Sequence, residues 1–105
     1  MDKKTVLAII SHFRKAIESA GVKPQKILLF GSFATGNYRP DSDIDLIVIS
    51  EDFEGKSYWE RIDLLSGAIY EVFQPIEAIA MTPREWKEED SLIVDYTRDA
   101  EVVYE

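Results

Sequence analysis

The sequence predicts a single mixed α/β (α+β) domain over residues 1–105: a small sheet of about four strands flanked by helices, in the order α-β-β-α-β-α-β. Three observations carry this. Short apolar runs bounded by glycine, proline or polar turns recur at 26–30, 44–49 and 75–81. Stretches with apolar residues at three- and four-residue steps alternate with them. A length of 105 residues suffices for one core and leaves no room for a second module.

Residues 3–20 carry Val6, Ile9, Ile10, Phe13, Ile17 and Ala20 on one helical face, and Gly21 with Pro24 ends that helix. Lys26-Ile27-Leu28-Leu29-Phe30 reads as a buried strand stopping at Gly31. Gly36, Asn37 and Pro40 leave space for at most one helical turn and a loop before the second buried strand, Ile44 to Ile49. Over 57–73, Tyr58, Ile62, Leu65, Ile69 and Val72 define an apolar face, with Ser57 and Glu60 as a capping box. Pro75 begins the third strand, through Met81. Thr82-Pro83-Arg84-Glu85 opens another helix with a second box, interrupted at residues 88–90 and resumed by Leu92, Ile93 and Tyr96. Glu101 to Tyr104 reads as a final short strand.

The connections carry geometry. A short loop from Gly31 to Asp43 makes the first two strands antiparallel, and a helical crossover makes the third parallel to the second. Asp43 and Asp45 alternate onto one side of their strand. The third strand begins at the same sheet edge, which brings Glu77, an acid in an otherwise apolar strand, beside them. Two like charges at ~4 Å repel by about 1 kcal/mol in water and several-fold more near a protein surface. A divalent cation such as Mg²⁺ relieves that repulsion and brings substrate phosphates with it. Gly31 and Ser32 supply a turn whose backbone can approach a phosphate closely. Together these residues describe a metal-dependent nucleotidyl-transfer site, with two ions aligning the attacking oxygen and neutralising the pyrophosphate that leaves.

An Asp-x-Asp pair alone is often a solvated turn at a strand edge; the Gly-Ser turn at this distance favours the functional reading. His12 reads as a surface histidine, and Ser42 as a residue bonded to turn backbone. Trp59 and Trp86 read as core edge or partner surface. Tyr38 either stacks on a nucleobase or packs down on its own loop, and Glu88-Glu89-Asp90 reads as a solvated face.

Twenty acidic against twelve basic residues give a net charge of −8, which repels a phosphate backbone and disfavours general nucleic-acid binding. The same charge suits a basic protein partner. No cysteine is present, so thiolate metal sites are excluded and a reducing, cytoplasmic setting is expected. No apolar run reaches membrane-spanning length, and the N-terminus lacks a signal-peptide pattern.

The pattern Gly31-Ser32, ten residues, Asp43-x-Asp45 resembles the signature of the DNA polymerase β-like nucleotidyltransferase superfamily. Over its full length the chain is similar to the minimal nucleotidyltransferases, specifically the antitoxin type paired with a HEPN-domain toxin. The resemblance implies the nucleotidyltransferase fold and transfer of AMP from ATP to a tyrosine of the HEPN partner. It implies Asp43, Asp45 and Glu77 as catalytic metal ligands, Mg²⁺ as cofactor, and Gly31 and Ser32 as nucleotide-binding residues. Two positions depart from the family pattern. Thr35 stands where many members carry a basic residue, leaving Arg39 as a substitute, and Glu77 stands where aspartate is common. These departures motivate an alternative from another class, a non-catalytic antitoxin that neutralises its partner by stoichiometric docking. The acceptor, base preference, number of metals and oligomeric state stay open.

Overall fold

The computed structural model describes residues 1–88 and 100–105. Helix α1 (Lys3–Ser19) starts where the Asp2 side chain accepts the Thr5 N–H at 2.8 Å. Strand β1 (Lys26–Phe30) runs into the four-residue turn α2 (Ser32–Thr35), then β2 (Ile44–Ile49). A 3₁₀ turn (Glu51–Phe53) precedes α3 (Tyr58–Val72), which is followed by β3 (Ile76–Met81), α4 (Pro83–Glu88) and β4 (Glu101–Tyr104). The resumed helix expected around Leu92, Ile93 and Tyr96 lies outside the described residues.

Both capping boxes form. Ser57 Oγ accepts the Glu60 N–H at 3.2 Å while Glu60 Oε1 accepts the Ser57 N–H at 2.9 Å. Thr82 Oγ1 accepts the Glu85 N–H at 3.1 Å, and Glu85 Oε1 accepts the Thr82 N–H at 2.8 Å. Each satisfies two amides that a helix start leaves without a partner.

The sheet order is β3-β2-β1-β4, with β1 antiparallel to both β2 and β4, and β2 parallel to β3. The antiparallel β1–β2 and parallel β2–β3 pairings are the ones the connection lengths require. One face of the sheet presents Ile27, Leu29, Ile44, Leu46, Val48 and Ile76 to α1 and α3, where Phe13, Ile17, Leu65, Ala68 and Val72 complete the main core. Burial of each of the larger of these side chains stabilises the fold by about 1.5–3 kcal/mol. The other face carries Leu28, Ile47, Ile49 and Met81 under Phe30, Trp86 and Ala100. Tyr58, expected on the apolar face of α3, is exposed, and Ala68 takes a buried place on that face instead. Tyr58 instead lines the rim of an open groove between α3 and β3. No helix among the described residues is long and apolar enough to cross a membrane.

Candidate functional site

Glycine 31 is where the site begins. β1 must turn sharply into α2, and Gly31 does so at φ 74°, ψ −154°, a conformation open essentially to glycine. Its α-carbon lies against the Asp45 carboxylate, so closely that a Cβ there would collide with Oδ2 and stand 3.1 Å from Cγ. In α2, Ala34 and Thr35 both donate to the Gly31 carbonyl, at 3.1 and 3.2 Å. The amides of Ser32 and Phe33 open the turn with no carbonyl four residues back inside the helix to accept them. Phe33 is buried in the main core and anchors the turn.

Strand register sets the acids. Phe30 pairs with Asp45, and Asp45 pairs with Glu77, so the three stand in one row across the sheet. Alternation places Asp45 and Glu77 on the same face as Ile47, Ile49 and Met81, away from α1 and α3. Asp45 is half-buried, whereas Asp43 and Glu77 are exposed. Burial, the facing charge of Glu77, a hydrogen bond to Glu77 and the charge of Asp43, in that order, push the Asp45 carboxyl up to about 6. The sequence-predicted residues Gly31, Ser32, Asp45 and Glu77 thus meet at one end of β1, β2 and β3, with Asp43 close enough to act on Asp45. Among the described residues, no three His, Cys, Asp or Glu side chains form a group that could hold a metal ion. The donor set is nonetheless hard carboxylate oxygen, and the charge crowding at Asp45 is what a divalent cation relieves.

The neighbouring residues fall as their chemistry suggests. Ser42 Oγ accepts the Arg39 N–H at 2.7 Å, holding the loop into β2. Tyr38 packs down on Phe33, the ring centroids 4.7 Å apart and nearly parallel. Arg39 and Thr35 are exposed. His12 lies on the outer face of α1, and Trp86 is half-buried over the second face of the sheet. A groove of about 420 Å³ lies between α3 and β3, lined by Tyr58, Arg61, Ile62, Leu65 and Ile79; none of the five site residues lines it. Two features went unseen in the sequence, the pairing of Phe30 opposite Asp45 and the contact of Gly31 with Asp45. Apolar run lengths could have suggested the pairing; nothing local signals the contact.

Residues 10–99 match the family described as the nucleotidyltransferase domain. The chain belongs to the nucleotidyltransferase domain family. Its fold is similar to that of a Sulfolobus solfataricus protein described as a nucleotidyltransferase, with a TM-score of 0.72 at 18% identity over 95% of this chain and 80% of that one. It is also similar to a chain in a toxin–antitoxin structure with AMP-PNP, at TM-score 0.65 and 17% identity, covering 93% of this chain and 72% of that one. A third likeness is to a chain in the complex of a tri-AMPylated Shewanella oneidensis HEPN toxin with its MNT antitoxin. There the TM-score is 0.57 and the identity 15%, over 97% of this chain and 71% of that one. At these identities the likeness is one of fold. The chain is also 35% identical over 63 residues to Protein BOLA2 of Arabidopsis thaliana, covering 56% of this chain and 68% of that protein. That name states no activity, and the family assignment follows the longer match, which includes the whole of the Gly-Ser and Asp-x-Asp pattern.

Proposed function

We propose that this nucleotidyltransferase domain transfers AMP from ATP to a hydroxyl of a partner protein, a tyrosine of a HEPN-domain toxin, and so acts as an antitoxin. The observation that carries it is the Asp45–Glu77 pair standing against the Gly31–Ser32 turn at one end of the sheet. The AMPylated toxin named in the Shewanella complex is what directs the reading to AMP and to that partner.

In this reading, Ser32 and the backbone of its turn hold the triphosphate, and Gly31 keeps that backbone free of a side chain. Asp43, Asp45 and Glu77 would hold Mg²⁺, two ions in the fuller form. When bound, the metal would supply charge neutralisation on the triphosphate and on the departing pyrophosphate. Asp45, whose carboxyl is pushed up to about 6 by burial and the facing charge of Glu77, activates the acceptor oxygen. That oxygen forms a bond to the α-phosphorus as the bond to the bridging oxygen of pyrophosphate breaks. Thr35 brings no positive charge to the phosphates, and Arg39 on the following loop is the cation assigned to them.

The test is transfer of labelled AMP from ATP to the HEPN-domain protein of the same genome. Asp43→Asn and Asp45→Asn should each abolish labelling, and calorimetry should show ATP binding that needs Mg²⁺ and is lost in the double variant. Full transfer by either single variant would overturn the mechanism. The exposure of Glu77 and the lack of a three-acid group among the described residues favour a second reading, neutralisation by docking alone. It predicts a tight complex without nucleotide that survives loss of both aspartates and carries no label.

A further inference from the structure

The outward face of α3 is aromatic. Trp59, Asp63, Ser66 and Tyr70 recur at steps of four, three and four residues and so form one stripe along the helix, which Phe73 follows at its C-terminal cap. Trp59, Tyr70 and Phe73 are 72%, 79% and 82% exposed. Three large aromatics in one line, uncovered among the described residues, are unusual on a surface of this size.

Phe73 adds a second observation. It caps α3 at φ 58°, ψ 48°, the left-handed conformation that helix ends normally assign to glycine. Among the described residues no other non-glycine residue has positive φ. A bulky aromatic in that conformation is strained, and Phe73 gains no burial in exchange. Folding of the isolated domain does not account for it.

The charge of this face narrows the class of occupant it suits. α3 carries Glu60, Asp63 and Glu71, all exposed, while its one cation, Arg61, is turned aside to Glu85 at 2.6 Å. The rim of the stripe is therefore acidic. A second copy of this chain, itself at −8, would bring like charges together across such a face.

We infer that the outer face of α3 seats an amphipathic, basic segment of the partner protein, with Trp59, Tyr70 and Phe73 as apolar anchors and Glu60, Asp63 and Glu71 as charge partners. The inference rests on the reading that the domain acts on a protein partner, and it names the surface. Leu65, Ala68 and Val72 of α3 pack on the sheet face opposite Asp45 and Glu77. Docking there leaves the carboxylates open to ATP and to the acceptor hydroxyl, which the proposed transfer requires to come from another segment of the same partner.

Calorimetry of the full chain with the HEPN-domain protein of the same genome tests this. Phe73→Gly should weaken the complex at least tenfold while raising the thermal midpoint of the free domain, since glycine relieves the left-handed backbone. Asp63→Lys should weaken it similarly with the midpoint unchanged, and both variants should bind ATP with Mg²⁺ like the wild type. Affinities within twofold of wild type for both variants would overturn the docking surface and leave the transferase reading intact. A wild-type chain that does not bind the HEPN protein would sink the partner reading and this surface with it. Sedimentation of the wild type as a dimer that Phe73→Gly dissociates would assign the face to a second copy instead.

Discussion

Gly31 and Asp45 share a space that admits only one side chain. The Asp45 carboxylate fills the position a Cβ at Gly31 would need, and the backbone at Gly31 has φ 74°. Gly31→Ala therefore meets two penalties, left-handed strain and a collision with a half-buried carboxylate, together at least about 2 kcal/mol. Urea unfolding should show the loss, and ATP binding should fall with it. A stable Gly31→Ala domain would mean that Asp45 swings away easily, and the acid would be less constrained than its surroundings imply.

Asp45 makes the metal-free protein pH-sensitive in a definite direction. Its carboxyl titrates near 6 when folded against 3.8 as the reference, so the folded state holds a proton that the unfolded state releases. Between those values stability falls as pH rises. Asp45→Asn should raise the thermal midpoint at pH 7 and change it little at pH 4, while eliminating AMP transfer. An equal shift at both pH values would show that charge is not the cause.

Glu85 works with the opposite sign. The Arg61 guanidinium, at 2.6 Å, and the Thr82 hydrogen bonds hold its carboxyl below the usual range. Stability from this group is present at neutral pH and lost as pH falls through its folded titration. Glu85→Gln should cost roughly 1 kcal/mol at pH 7, allowing for partial exposure. The difference from wild type should shrink toward pH 3. A constant difference across that range would place the effect in packing.

Gly67 sits inside α3, and a Cβ added there meets nothing within 4 Å. Gly67→Ala should stabilise the domain by about 0.5–1 kcal/mol through helix propensity alone. Phe13, fully buried, marks the other extreme: Phe13→Ala should cost about 3–5 kcal/mol. Denaturant midpoints for both variants measure how much of the stability comes from the main core.

Local chemistry and connection lengths were enough to bring Asp45 and Glu77 together, because a short loop and a helical crossover leave few ways to arrange three strands. Capping boxes at Ser57 and Thr82 were equally visible, since their hydrogen bonds span three residues. The position of β4 beside β1 was not, because the preceding chain imposes no short connection. The exposure of Tyr58 was hidden for another reason: periodicity assigns a residue to a face but does not say how closely the neighbouring layer approaches it there. Phe73 was concealed by Pro75, which signals a helix end without specifying that an aromatic must take the left-handed position.

Glu77 stands on an edge. Among the described residues β3 pairs only with β2, so its outer row of amides and carbonyls is available to any strand that approaches, and Ile79 beside Glu77 is 40% exposed. A charged side chain on such an edge opposes strand addition and thus aggregation. The acid assigned to chemistry also keeps neighbouring molecules apart, so Glu77→Val should form fibrils or precipitate where Glu77→Asp stays monodisperse. A lineage that abandoned catalysis would still have cause to keep a charge at this position.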